Sequence, residues 1–145
     1  PAFVYSNMIE DKNLKRWKKS KVKKLDFSMG LFVIYFGTKK KYNNIAHHTI
    51  WMGKRFEGLL NDIFKRKILA KDFSLYLHRP TASDPSMAPK SCDCFYVLSP
   101  VPNLISNINW KETSKEYMNS IFLALEKTIL PELIKNLTTY FLMNP

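Results

Sequence analysis

The residues of this chain with the most chemistry in them are two cysteines and three histidines. Cys92 and Cys94 stand two apart, which on a strand points both to one face. Neighbours that close are poor candidates for an unstrained disulfide with each other. His47, His48 and His78 would have to complete any metal set, yet neither a CxxC pair nor an HxxxH pair exists. Adjacent histidines on a regular strand point opposite ways, so the expectation is no metal site. The cysteines then read as two reduced thiols in a reducing compartment. Ser86, His78 and Asp84 supply the residue types of a hydrolytic triad, but their spacing fixes no nucleophile against a base. GxGxxG, GxSxG, HExxH and phosphate-loop sequences are absent, and the four glycines are scattered. No catalytic, cofactor-binding or metal-ligating residue follows from these patterns.

The elements that would position any site are strands and two amphipathic helices. Asp72–Leu104 reads as a strand, a proline-marked turn and a second strand. Phe73–His78 alternates large apolar with smaller or polar residues, as a half-buried strand does. Pro80, Pro85 and Pro89 fix φ and remove three donors, so no helix or central strand runs through 81–90. Asp84-Pro85-Ser86 is turn chemistry, the Asp side chain accepting from backbone just ahead of it. Cys94–Leu98 resumes the strand pattern, and Pro100 and Pro102 are expected to close it. Leu31–Phe36 is apolar at every position, which implies a strand covered on both faces or one wall of an apolar cavity. Gly30 and Gly37 bracket it and permit a bulge or a close backbone approach. Phe3–Asn7 and His47–Met52 read as further strands, and Asp11–Lys24 as loop or short helix. Arg55–Leu69 carries Phe56, Leu59, Leu60, Ile63 and Phe64 on helical spacing. Thr113–Glu116 matches a capping box opening a second helix, with Met118, Ile121, Phe122, Leu125 and Ile129 on one face. Pro131 interrupts that helix, and 138–145 reads as the start of another strand. The expected fold is α+β, a mostly antiparallel sheet with flanking amphipathic helices.

Composition narrows the function classes. A hydrophobic content of 46% with 14% aromatics argues against disorder. No apolar run reaches the roughly 18 residues of a membrane-crossing helix. The net charge of +11 is concentrated in the first half, with eight basic residues between Lys12 and Lys24. Such a block suits a solvated face, anionic lipid head groups or nucleic acid phosphates. No nucleic-acid motif or stacking aromatic set accompanies it, so no nucleic acid partner is expected. The large apolar and aromatic surface fits a wall for a long hydrophobic ligand better than a self-contained catalytic site.

Several stretches together resemble one family. SMGLFVIYFGTKKKY, IAHHTIWMG, DFSLYLHRPTASDPSMAPKSCDCFYVLSPVPNL and LEKTILPEL are similar, in order and spacing, to the bacterial-type phytoene desaturases. These are carotenoid desaturases of the flavin-dependent amine oxidase-like superfamily. Before Ser28 the likeness is thinner, and Val4–Asn7 looks like the family's V-x-S-N strand. The resemblance implies that residues 1–145 are one partial domain, the substrate-binding part of a larger FAD-dependent oxidoreductase. The dinucleotide-binding motif and the flavin-contacting Gly-rich segment would both lie outside it, leaving the fragment inactive by itself. It implies phytoene or a related carotenoid as substrate and quinone or oxygen as electron acceptor. It also implies a cytoplasmic protein held peripherally at a membrane surface. The opening Pro1, in place of Met, also reads as an incomplete chain. The expected tunnel-lining residues are Tyr35, Phe36, His48, Tyr76, His78 and Tyr96, taken from strand position and side-chain character. The alternative is a non-enzymatic module that binds a hydrophobic ligand or a membrane surface. One departure stands out: where the family places Gly shortly after the Ala-Pro of the long turn, this chain has Lys90-Ser91.

Overall fold

The computed structural model of the chain describes residues 2–145. Its centre is a five-stranded, wholly antiparallel sheet in the order β2-β3-β4-β1-β5. The strands are β1 (Gly30–Thr38), β2 (His48–Trp51), β3 (Leu75–His78), β4 (Asp93–Val101) and β5 (Leu137–Met143). The α+β expectation therefore holds.

Alternation along the strands sets the two faces. Phe32, Ile34 and Phe36 of β1, Leu75 and Leu77 of β3, and Phe95 and Val97 of β4 are all buried on one side. The long helix α4 (Trp110–Thr128) covers that side with Tyr117, Met118, Ile121, Phe122 and Leu125. Each such side chain removed from water contributes about 1.5–3 kcal/mol. The rings interlock: Phe32 meets Tyr117 edge-on at 5.1 Å, and Phe36 meets Phe122 edge-on at 5.4 Å.

Both glycines of β1 have structural reasons. A Cβ on Gly30 would stand 2.9 Å from the Pro102 carbonyl oxygen. At Gly37 the register with β5 slips by one residue, a bulge that inserts Thr138.

The long turn is anchored by a buried ion pair. Arg79 Nε donates to Asp93 Oδ2 at 3.0 Å, and both side chains are almost fully buried. Arg79 Nη1 also donates to the Ile45 carbonyl, while Asp93 accepts from Thr81 Oγ1 and the Tyr42 amide. A buried pair with all its lone pairs occupied in this way is tolerated, whereas either partner alone would be costly. The turn then runs through two short 3-10 segments, Pro80–Ala82 and Pro85–Met87. Asp84 Oδ1 accepts from the Ser86 amide and hydroxyl, which is the expected turn chemistry.

Four expectations need correction. Residues Ala2–Asn7 form a helix, α1, not a strand. The side of β1 away from β4 is taken by β5, so this segment does not extend the sheet there. β4 continues through Pro100 to Val101. Pro100 pairs with Leu31 but lies beyond Leu98, the last residue paired with β3, so its missing N–H costs no bond there. The first amphipathic helix is shorter than its periodicity: α3 covers Phe56–Asn61, then widens into a π-helical turn at Asp62–Arg66, and Lys67 ends it at φ 53. The widened turn coincides with the buried Asp62, which takes Arg55 and Arg66 at 2.9 Å each. Finally, α4 begins at Trp110, not Thr113, and the capping box does not form; the Thr113 hydroxyl donates to the Asn109 carbonyl instead. The remaining helices are short: α2 (Lys19–Val22) lies in the basic segment, and α5 (Leu133–Asn136) follows Pro131.

Candidate functional site

The second face of the sheet is apolar too, and the described part of the chain leaves it uncovered. Residues of five strands form one cross-strand row: His48 of β2, His78 of β3, Tyr96 of β4, Tyr35 of β1 and Phe141 of β5. Four interstrand spacings of about 4.8 Å give this row a span of roughly 19 Å. The rings touch in sequence. His48 and His78 are 5.1 Å apart, His78 and Tyr96 4.6 Å, Tyr96 and Tyr35 5.6 Å, and Tyr35 stacks on Phe141 at 4.6 Å. A second row beside it holds Ile50, Tyr76, Leu98, Val33 and Met143. These side chains are half-buried or exposed, while their alternates along the three central strands β1, β3 and β4 are buried.

The proline turn rims this face. Met87, Ala88 and Pro89 together with Cys94, Tyr96 and Phe141 line an open apolar cleft of about 680 Å³. A larger depression of about 1230 Å³ lies elsewhere, between Trp51, Ile68 and Leu123. Its rim carries the Arg55–Asp62–Asp72 ion pairs, so it is the less suited of the two to an apolar ligand.

Five of the six residues expected at the site come together here: Tyr35, His48, Tyr76, His78 and Tyr96. Phe36 does not. It is on the opposite face, stacked on Phe95 at 5.1 Å in the core, because adjacent strand residues point opposite ways. Phe141 and Leu98 belong to the face and were not singled out from sequence. The stretch 138–145 reads as the start of a strand, but the register that sets Phe141 beside Tyr35 depends on the bulge at Gly37.

The histidines differ from the strand expectation. β2 begins at His48, so His47 lies outside the alternation and its ring stacks on that of His48 at 4.4 Å. His47 Nε2 is 2.7 Å from His78 Nε2, and His47 Nδ1 meets the Ser83 hydroxyl. His48 Nδ1 bonds the Tyr76 hydroxyl at 2.6 Å. Burial, reinforced by His47 and His48, holds the His78 imidazole below its ordinary pKa. Burial and then the Asp93 charge push the Cys94 thiol up, so it stays protonated and unreactive. Cys92 and Cys94 are both free thiols. Ser86 donates to Asp84 and not to His78, so the paper triad does not assemble.

FAD is the cofactor the resemblance implies, and the described residues do not fit it. Every sheet pairing is antiparallel, and no glycine has positive φ. A dinucleotide site needs a glycine-rich turn from a parallel strand into a helix N-terminus. Among the described residues no helix is long and apolar enough to cross a membrane.

With this geometry in hand, comparison with known proteins is informative. The chain is similar to the neurosporene-forming phytoene desaturase of Rhodobacter capsulatus, at 39% identity across 98% of this chain and 28% of that protein. It is 43% identical to the lycopene-forming phytoene desaturase of a Paracoccus species, across 92% of this chain and 25% of the relative. The lycopene-forming phytoene desaturase of Pantoea ananas is 41% identical across 81% of this chain and 24% of its own length. No family model matches. The chain spans about a quarter of the length of the curated relatives it matches. The strands, the proline turn and the exposed aromatic face are thus carried by a sequence that is similar, over 81–98% of its length, to one segment of the phytoene desaturases.

Proposed function

We propose that this chain is part of the substrate-binding domain of an FAD-dependent carotenoid desaturase, and that its open sheet face is one wall of the tunnel for phytoene or a related C40 polyene. The observation that carries this reading is the cross-strand row His48–His78–Tyr96–Tyr35–Phe141 with its flanking row of Ile50, Tyr76, Leu98, Val33 and Met143. A polyene offers no hydrogen-bonding groups, so a site for it is built from aromatic and aliphatic contact area. FAD, and contact with quinone or oxygen as acceptor, belong to the remainder of the protein. The chain by itself is inactive.

The test is desaturation of phytoene by the whole protein that carries this segment, followed as coloured product in phytoene-accumulating cells. Replacing Tyr35, Tyr96 and Phe141 together by serine should abolish product while the protein still accumulates. Undiminished product from that variant would remove the sheet face from the substrate path.

Peripheral attachment to a membrane surface is part of the same reading. Leu25, Phe27, Met29 and Leu31 are exposed directly after the basic segment, and Leu104 and Ile105 are exposed beside them. Asn103 Nδ2 donates to the Ser28 carbonyl at 2.9 Å and ties the two stretches together. Apolar tips next to a lysine cluster favour an anionic lipid interface. Binding to anionic vesicles that neither salt nor replacement of Lys18, Lys19, Lys21, Lys23 and Lys24 reduces would exclude the electrostatic part of this contact.

A further inference from the structure

Three imidazoles converge at the β2–β3 end of the open face, and a wall for an apolar ligand makes no use of their nitrogens. The ligand nitrogens of His47, His48 and His78 all lie within 4.8 Å of one another. Two of the three rings are oriented from behind by hydroxyls. Ser83 Oγ holds His47 Nδ1, and Tyr76 Oη holds His48 Nδ1. That leaves Nε2 of His47 and of His48 as the free ligating atoms. His47 Nε2 already meets His78 Nε2. Ligating histidines have their second nitrogen fixed by an outer hydrogen bond in just this manner, which sets the tautomer.

His78 faces the cluster through Nε2, the atom that His47 meets. Its Nδ1 is buried and has no hydrogen-bond partner among the described residues. The opposed His47 and His78 nitrogens can share one proton, so one ring donates and the other accepts, and His78 still has a nitrogen left over. The hydrogen-bonding capacity of these rings exceeds what the described residues supply.

We propose that His47, His48 and His78 form a three-nitrogen site for a divalent transition-metal ion of the zinc class, with the fourth position open at the end of the aromatic row. Borderline ions such as zinc, copper or nickel take imidazole nitrogen readily, and three protein ligands with one open position are a common set for zinc. Two nitrogens bound tetrahedrally at about 2.0–2.1 Å stand roughly 3.3 Å apart. The 2.7 Å between the His47 and His78 nitrogens therefore opens by about half an ångström on loading, and the shared proton leaves to solvent. His48 closes the set by a small shift that keeps its Nδ1 on the Tyr76 hydroxyl, for which it has room: it is exposed and sits on the edge strand β2. The proposal stands on these side chains alone and does not depend on which ligand the sheet face holds.

The experiment titrates zinc chloride into the metal-stripped whole protein against a chromophoric chelator, in parallel with variants. One zinc equivalent per chain is expected to bind. His78→Ala and His48→Gln should each lower the affinity about 100-fold or more, and Tyr76→Phe about tenfold through the lost outer hydrogen bond. His48 is exposed, so its variant keeps the fold and remains a fair test if His78→Ala does not. Loaded with copper(II), the protein should give pulsed-EPR couplings to imidazole nitrogen that weaken in His48→Gln. Absence of stoichiometric zinc, or zinc and copper signals that His48→Gln leaves unchanged, would overturn the site.

Discussion

The two faces of one sheet are built from the same kinds of residues and have opposite fates. On one, Phe32, Ile34, Phe36, Phe95 and Val97 are buried under α4. On the other, Val33, Tyr35, Tyr96 and Leu98 are only half-buried, and Phe141 and Met143 are exposed. The first face stabilises the chain by removing apolar surface from water. The second leaves apolar and aromatic surface uncovered by the described residues. An apolar patch of that extent on a soluble surface marks a binding or docking face. A strand apolar at every position therefore announces two covers, and this chain supplies one of them.

The sharpest way to test the contrast is to remove one phenylalanine from each face. Phe32 is fully buried and packs against both Trp110 and Tyr117. Phe32→Ala should cost about 3–5 kcal/mol of stability, through lost burial and the cavity left behind. Phe141, 58% exposed, has its stack on Tyr35 as its main partner. Phe141→Ala should cost about 0.5–1.5 kcal/mol, the scale of one aromatic pair. Unfolding midpoints of the two variants check this. Equal losses would mean that the open face is as much a part of the core as the covered one.

The α4-covered face also has a titration signature. Burial pushes the Tyr117 phenol up to about 12, offset in small part by the Ser99 hydroxyl 2.8 Å away. The folded protein thus favours the neutral phenol more strongly than the unfolded chain, whose tyrosine titrates near 10. The resulting stability is fully present below about pH 10. It is lost as pH rises from about 10 through 12, on the order of 2–3 kcal/mol in all. Urea unfolding across that range should show the decline. Tyr117→Phe should flatten it, while starting lower at neutral pH because Ser99 then loses its buried partner.

How much of this was legible in sequence follows from what each feature depends on. The strands of β1, β3 and β4 and the helix α4 are visible because period-2 and 3.6-residue patterns are local. Which face of β1 meets α4 is not local: Phe36 and Tyr35 are equally aromatic neighbours, and only the packing of Phe122 decides between them. Phe3–Asn7 has strand-like residues but folds as α1 outside the sheet, a choice that its local pattern does not reveal. The histidine cluster was hidden by a correct rule applied one residue too early, because β2 starts at His48 and leaves His47 free to turn back. The buried Arg79–Asp93 pair joins residues fourteen positions apart across the long turn, and no motif announces it.

The smallest expected effect concerns the turn that rims the open face. Where related sequences were expected to carry glycine, Ser91 adopts the left-handed region at φ 68. Its neighbour Cys92 donates to the Pro89 carbonyl at 2.9 Å, so the turn is closed and ordered despite the missing glycine. A side chain in this region costs about 1–2 kcal/mol relative to its preferred conformations. Glycine escapes that cost but loses about 0.5–1 kcal/mol in chain entropy on folding. Ser91→Gly should therefore raise stability by about 0.5–1 kcal/mol, read as a small increase in unfolding midpoint. Ser91→Ala retains a Cβ in the same conformation and should give no gain. Because Ser91 is exposed and lies outside the apolar rows, the gain should come without change in ligand contact at the sheet. A Ser91→Gly variant that is less stable than the parent would show that this turn is held by its hydrogen bonds alone, with no strain for glycine to relieve. The rim of the open face would then be as settled as the covered one, and the difference between the faces would rest wholly on what packs against them.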